Sequence, residues 1–357
     1  MATGLRSPWS ASVSELRVEP LPARSASENH PLVSVVITSY SLRRFSDLLE
    51  ALQSLGQQTY TNVEIIFVGE GPEKLCERVE AFGREKGIPS LRTVFNDGRP
   101  GLSFARNVGI RHAHGEIVAF TDDDAVAAKD WTERIVHAFL SRPEVIGVTG
   151  QAIPLWMDEG TQWFPEEFDW IIGSTRFTGW KEARPVRNAA GVNMAFRQEA
   201  FQHCRFSEVF AGGNQGDPTG TKGGLVGDDT LFSLELCAKT KRPIFFDPRV
   251  RVYNKVYAHR LQPRFVRRRA FWEGYTKGIL VRLYGKDQQM KLSTEFSLLR
   301  RVLFDFLPRS LWQLAYDPST AWRKLTLAVS VLFHVGLGYL AASFPGPGSW
   351  AAKRYSS

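Results

Sequence analysis

One run constrains this chain more than any other: residues 116–124, reading Glu116, Ile117, Val118, Ala119, Phe120, Thr121, Asp122, Asp123, Asp124. An unbroken apolar, β-favouring stretch reads as a strand covered on both faces, as in the middle of a parallel sheet. Three adjacent carboxylates cannot follow it inside, because each unpaired ion would cost on the order of several kcal/mol. They belong where the strand emerges, at the carboxyl edge, where open α/β sheets bind ligands. Carboxylates this close repel one another unless a cation sits among them, and hard oxygen donors suit Mg²⁺ or Mn²⁺. A solvated acidic turn is the plainer alternative.

The residues before this run alternate in kind. Residues 32–38 follow Pro31 as a first buried strand, ended by Ser39 and Tyr40. A helix begins near Ser41, with Leu42, Phe45, Leu48, Leu49, Leu52 and Leu55 at helical spacing, and Gly56 closes it. Residues 63–68 form a second strand, stopped by Gly69, Glu70, Gly71 and Pro72. A charged helix then reaches about Lys86, residues 91–95 give a third strand, and residues 102–112 another helix. Such alternation marks a parallel sheet with right-handed crossovers. The loop at residues 98–101 opens that last helix, whose first-turn amides, with Arg106 and Asn107 one turn on, suit a phosphate. No GxGxxG follows the first strand and no GKS or GKT occurs, which disfavours a dinucleotide fold or a P-loop.

Charge divides the chain unevenly. From Arg251 onward there are 18 Lys/Arg against 5 Asp/Glu, whereas the residues before it carry a net of −5. A basic tail on an acidic body points to an anionic surface as partner. Within that tail, the 28 residues between Lys324 and Lys353 carry no charge, and residues 325–344 are long and apolar enough to cross a bilayer or re-enter it. Arg323 and Lys324 flank one end, Lys353 and Arg354 the other, and Trp322, Tyr339 and Trp350 are interfacial aromatics. Residues 298–312 mix Leu and Phe with Arg300, Arg301 and Arg309, like a helix lying in the headgroup layer. The plainer reading of the apolar run is a buried core helix. Cys76, Cys204 and Cys237 are odd in number and widely spaced, which argues for reduced thiols in the cytosol. Residues 1–30 are rich in Ser, Ala, Pro and charge and read as disordered, without a signal peptide.

Residues 33–131 resemble the inverting family 2 glycosyltransferases, which have the Rossmann-like GT-A fold. The resemblance is carried by the strand into Thr38, Ser39 and Tyr40, the lead-in from Gln58 to the second strand, the helix around Ala105, Arg106, Asn107 and Gly109, the DxD-like Asp122 to Asp124, and Trp131. It continues through Gly191, Val192, Asn193, Met194, Ala195 and Phe196, similar to the acceptor-side segment, and through Gly227, Asp228, Asp229, Thr230 and Leu231, similar to the "ED" motif. His259 stands where many members have a histidine. The resemblance implies an α/β fold with a mostly parallel sheet, and nucleotide-sugar contacts from Thr38, Ser39, Tyr40, Glu70, Arg106, Asn107, Asp122 and Asp123. It implies a divalent cation (Mn²⁺ or Mg²⁺) on Asp124 with His259 nearby, acceptor contacts at Gly191 and Asn193, and a catalytic base at Asp229 or its neighbour Asp228. Where the family usually has an aspartate for uracil, this chain has Glu70. Read from the residues alone, Asp228 and Asp229 also suit the first turn of a helix, and His259 a structural role.

The expected organisation is a segment 1–30, a transferase domain 31–278 (nucleotide-sugar half 31–131, acceptor half 132–278), membrane-surface helices 279–324, an apolar helix 325–344 and a tail 345–357. The glycine-dense residues 212–227 read as a loop over substrate, and the aromatic stretch from Trp156 to Trp180 as core. The expected function is a membrane-anchored transferase on the cytoplasmic face, moving a sugar from a nucleotide sugar, UDP-linked, to a polyprenyl- or dolichyl-phosphate-linked acceptor, as in archaeal N-glycan assembly. Its partners are then that donor, that acceptor and the lipid bilayer, with no nucleic acid. The alternatives are a transferase of cell-surface polysaccharide and a non-enzymatic binder of membranes or nucleic acid. A processive synthase would need a QxxRW motif, and a nucleotidylyltransferase a lysine-bearing glycine loop after the first strand; neither is present.

Overall fold

A computed structural model of the chain describes residues 30–88, 90–98, 100–208, 226–284 and 293–343. The elements are β1 (Val33–Ser39), α1 (Phe45–Gly56), β2 (Val63–Gly69), α2 (Lys74–Lys86), β3 (Leu91–Phe95), α3 (Leu102–His112), β4 (Ile117–Asp122), β5 (Ala125–Ala127), α4 (Trp131–Ser141) and β6 (Gly147–Trp156). After them come β7 (Arg184–Val186), β8 (Asn193–Arg197), α5 (Ala200–His203), α6 (Asp228–Thr240), β9 (Ile244–Val256), α7 (Pro263–Tyr284), α8 (Ser293–Arg301), α9 (Leu307–Gln313) and α10 (Pro318–Ser343). The expected disordered segment, most of the glycine-dense loop and the tail lie outside the described residues.

The strands join in the order β3-β2-β1-β4-β8-β6-β9-β5, with β7 on β9. β3, β2, β1 and β4 are parallel. β8 then enters antiparallel between β4 and β6, so the sheet, expected to be mostly parallel, is parallel through its first half and mixed beyond it.

Alternate residues explain why both faces are covered. Val33, Val35, Ile37, Ile65, Phe67, Ile117 and Ala119 enter one core, which α1, α2 and α4 complete. Val36, Ile66, Val68, Val118 and Phe120 enter the other, which α3, α5 and α6 complete. In a strand that is apolar at every position, each face finds its own layer of helices. Register then fixes the functional edge, because Thr38 pairs with Asp122 and Ser39 with Gly69. Residues 38–40, Glu70 and the three aspartates therefore emerge side by side.

α10 begins at Pro318, seven residues before the apolar run expected from sequence, because Asp317 accepts from the Thr320 amide (3.2 Å) and so caps the helix ahead of that run. It is the one described helix long and apolar enough to cross a membrane, with 22% of its most apolar window buried. Residues 298–312 are helical as expected, with a π-helical turn at Val302–Phe306 between α8 and α9.

Candidate active site

A cavity of about 1000 Å³ opens at this edge. Thr38, Ser39, Tyr40 and Glu70 line it from β1 and β2, and Asp122, Asp123 and Asp124 from the end of β4. Arg106, Gly191, Asp228, Asp229 and His259 reach the same space from elements far apart in sequence.

The carboxylates divide into two groups. Asp123 accepts from the Ser39 hydroxyl (2.6 Å) and from Arg44 Nη1 (3.2 Å). Asp124 is held through Oδ2 by Arg44 (3.3 Å) and by Arg260, which also donates to the Ile172 carbonyl. Burial and the adjacent Asp124 push Asp123 up to about 6, against the pull of Arg44 and Ser39. Even with two guanidinium groups present, this corner is short of positive charge.

The second group sits at the start of α6. Arg106 is 3% exposed and donates to Asp228 (2.8 Å), to Asp122 (3.4 Å) and to the Gly191 carbonyl (3.1 Å). Asp229 accepts from the Gly191 amide (2.7 Å) and the Thr230 amide (2.7 Å). The Gly191 peptide is thus clamped between acid and base, and a Cβ there would stand 3.1 Å from Asp229 and 3.2 Å from Arg106. Burial and the Asp228 charge raise the Asp229 carboxyl to about 6, more than Arg106 and the two amides lower it. The N-cap position of α6 is Gly227, at φ 86°, and Asp228 and Asp229 lie in the first turn, where Asp229 meets the Thr230 amide.

Two expected contacts lie elsewhere. Asn107 does not line the cavity: it donates to the Phe206 carbonyl (2.9 Å) and accepts from the Phe206 amide (3.0 Å). Successive residues on a helix point about 100° apart, so Arg106 in the cavity sends Asn107 out of it. Asn193 is fully buried, accepting from the Trp131 indole (2.8 Å) and donating to the Gln151 and Val250 carbonyls (2.9 Å each). It ties β8 to α4, β6 and β9. The α3 amides are also less open than expected, because Glu70 accepts from the Gly101 amide (3.0 Å) and from Asn96 (2.7 Å), and burial raises its carboxyl.

Sequence reasoning missed Arg44 and Arg260, both placed by short turns, and only the neighbour His259 hinted at the second. It also read the aromatic stretch as core. Phe164 and Phe168 are buried, while Trp170, Phe177 and Trp180 line the cavity. Other parts of the wall are made by Arg268 and Arg269 of α7 and by apolar side chains of α8 and α10. Glu295 fastens α8 there, accepting from Arg187 (2.9 and 3.1 Å) and pairing with Lys277 (3.3 Å).

The fold is α/β, of the GT-A type. Residues 34–205 match the glycosyl transferase family 2 model, which supports a glycosyltransferase activity for the chain. It is 29% identical to a glucosyl-dolichyl phosphate glucuronosyltransferase of Haloferax volcanii over 312 residues, 86% of this chain and 95% of the relative. An uncharacterized glycosyltransferase of Haemophilus influenzae is 30% identical over 158 residues, 43% of this chain and 45% of that one. Among solved structures, the mannosyltransferase PcManGT from Pyrobaculum calidifontis, in complex with GDP-Man and Mn²⁺, shares the fold with a TM-score of 0.55 and 19% identity, covering 87% of each chain.

Proposed function

We propose that the chain is an inverting, membrane-associated glycosyltransferase that moves a sugar from a nucleotide sugar, UDP-linked, to an acceptor carried on polyprenyl or dolichyl phosphate. One observation carries this reading. A single cavity joins the carboxylate edge, Asp229, a basic stretch at Arg268 and Arg269, and an apolar wall on α8 and α10. Those surroundings match, in order, a nucleotide diphosphate, a reacting hydroxyl, a phosphate and a hydrocarbon chain. The Haloferax relative, named for a dolichyl phosphate substrate, supports the acceptor class.

The reaction is a single displacement. The acceptor oxygen bonds to the anomeric carbon as the bond to the diphosphate breaks, and its proton passes to the Asp229 carboxylate. Arg106 anchors Asp228 and the Gly191 carbonyl, which holds the Gly191 amide against Asp229. Glu70 stands where a base N–H can be met, and Trp170 and Trp180 offer faces for sugar rings.

The acidic corner fits a divalent cation of one kind. Among the described residues, no three His, Cys, Asp or Glu side chains converge as a closed metal site. Asp124, with Asp122 beside it, suits Mg²⁺ or Mn²⁺ held by one or two carboxylates and completed by phosphate oxygens and water. Burial and the neighbouring Arg260 and Arg44 lower the His259 pKa, so its imidazole is neutral and available as a further donor. When bound, the cation neutralises charge on the leaving diphosphate.

The test is transfer from a panel of nucleotide sugars to polyprenyl and dolichyl phosphates, with and without a first sugar, using detergent-purified protein. Transfer stops in EDTA, returns with Mn²⁺ or Mg²⁺, and is lost in Asp124→Asn. Full activity in chelator removes the cation from the reading. Transfer only to water-soluble acceptors removes the lipid. We place the catalytic unit on the cytoplasmic membrane face; recovery of the full chain in the soluble fraction of gently lysed cells refutes the membrane attachment.

A further inference from the structure

α10 has two apolar stripes that meet different surroundings. Ala321, Ala328, Val331, Gly338 and Ala342 are buried on one side, whereas Val329, Phe333, Leu337 and Leu340 on the other are 46% to 69% exposed. A helix apolar all round lies between two apolar media, and the protein supplies only one.

The protein-side stripe stays with the catalytic unit from end to end. Ala328 and Val331 pack with Phe168, Ile171 and Val266, and Ala342 packs with Leu231 and Leu234 of α6. α7 runs alongside through a seam of glycines. A Cβ on Gly274 would stand 2.0 Å from the Val335 carbonyl oxygen, and one on Gly338 2.0 Å from that of Phe271. Arg282 closes the far end on the Ala342 carbonyl (3.0 Å). Because α7 carries Arg267, Arg268, Arg269, Glu273 and Lys277, α10 cannot stand across a hydrocarbon core without drawing these charges in.

The open stripe continues over the neighbouring helices, where Phe304, Trp312 and Trp322 are 65% to 73% exposed. Arg300, Arg309 and Arg323 are exposed along them, and Asp305 is the sole exposed acid among the described residues from 293 to 343. Basic residues interspersed with aromatics suit an anionic headgroup layer. Leu299, Leu332, Tyr339 and Leu340 belong both to this face and to the cavity wall, so the cavity opens through it.

We infer that α8, α9 and α10 seat in one leaflet of an anionic bilayer, with α10 lying in its plane and not crossing it. The acceptor then reaches Asp229 sideways, from the leaflet through the gap between α8 and α10. The inference rests on the membrane reading given above and fixes its geometry.

The experiment uses the full chain with one epitope at each terminus, in sealed inverted membrane vesicles from expressing cells. External protease removes both epitopes if α10 lies in plane. Loss of the N-terminal epitope with protection of the C-terminal one means that α10 crosses, which overturns the inference and leaves the transferase reading intact. Protection of both keeps the in-plane helix and overturns the cytoplasmic placement. In parallel, flotation with vesicles of three parts neutral to one part anionic phospholipid recovers the full chain. Phe304→Glu with Phe333→Glu lowers that recovery at least tenfold while circular dichroism is unchanged, since both side chains point outward. Failure of the unaltered chain to float or to appear in the membranes overturns the membrane reading itself; equal flotation of the double variant overturns the assigned face.

Discussion

Asp229 is a carboxylate kept where ionisation is costly. Its folded pKa of about 6 lies above the ordinary 3.8 because burial and Asp228 outweigh Arg106 and two amides. Base catalysis needs the ionised form, so kcat/KM should climb about tenfold per pH unit below 6 and level off above it. The stability consequence has the opposite sign. A raised carboxyl pKa means that the native state holds the proton more tightly, so this group's stabilising contribution is present below 3.8 and lost as pH rises through 6. Asp229→Asn should therefore cost about 10²- to 10⁴-fold in rate and abolish the acidic limb, with donor affinity within a few-fold. It gives up one of two amide bonds and also the buried charge, so Tm at neutral pH should move by no more than about 3 °C. Asp228→Asn should behave differently. It removes the charge facing the buried Arg106 and leaves a neutral amide oxygen in its place, and one-sided loss of a buried charge costs up to about 3–5 kcal/mol. Denaturant melts of the two variants, read beside their rates, separate base from anchor; a stable, inactive Asp228→Asn would exchange the roles.

At the level of elements, the glycine seam between α7 and α10 is the joint that holds the cavity's apolar wall. Gly338→Val forces a branched side chain against the Phe271 carbonyl and should cost about 1–3 kcal/mol of stability or more, measured by thermal unfolding in detergent. Gly336→Ala is the control: no atom stands within 4 Å of its Cβ, and the change should be neutral or stabilising by up to about 1 kcal/mol. If both variants melt alike, α10 is not held by this seam. The seam was not legible in the sequence, because spacing marks small residues without saying which helix they meet. β1, β2 and β4 were legible, since strands this nearly continuous in apolar residues admit one environment, and their register carries Thr38, Glu70 and the aspartates to one edge. β8 was not, because its antiparallel insertion depends on partners distant in sequence. Arg106 and Asn107 looked alike as phosphate contacts until helix geometry turned one inward and the other toward Phe206. The arginines on Asp124 come from single 3₁₀ turns, too short for periodicity to mark.

Across the whole molecule, an acidic catalytic body is joined to helices whose exposed charge is mostly basic. Standing α10 upright in a bilayer would take Arg267, Arg268 and Arg269 with it, at about 2.5–3.5 kcal/mol each. Lying flat, the same helices leave Arg300, Arg309 and Arg323 at headgroup level, where each contributes about 1 kcal/mol to an anionic surface. Two forces of different range then hold the enzyme, and salt separates them. Raising ionic strength from 0.1 to 1 M shortens screening from about 10 to 3 Å and should weaken binding to anionic vesicles about a hundredfold. The apolar part should remain, so binding to neutral vesicles should be weaker at the outset and nearly indifferent to salt. Arg300→Gln, Arg309→Gln and Arg323→Gln together should give at low salt the affinity that the unaltered chain shows at high salt. Arg309 also pairs with Glu167 and Arg323 lies over Trp163 (4.3 Å), so a melting curve must accompany the triple variant. If a well-folded triple variant still loses most of its binding at 1 M salt, the electrostatic hold lies on other residues, with Arg264 and Arg267 at the exposed start of α7 next to be tested.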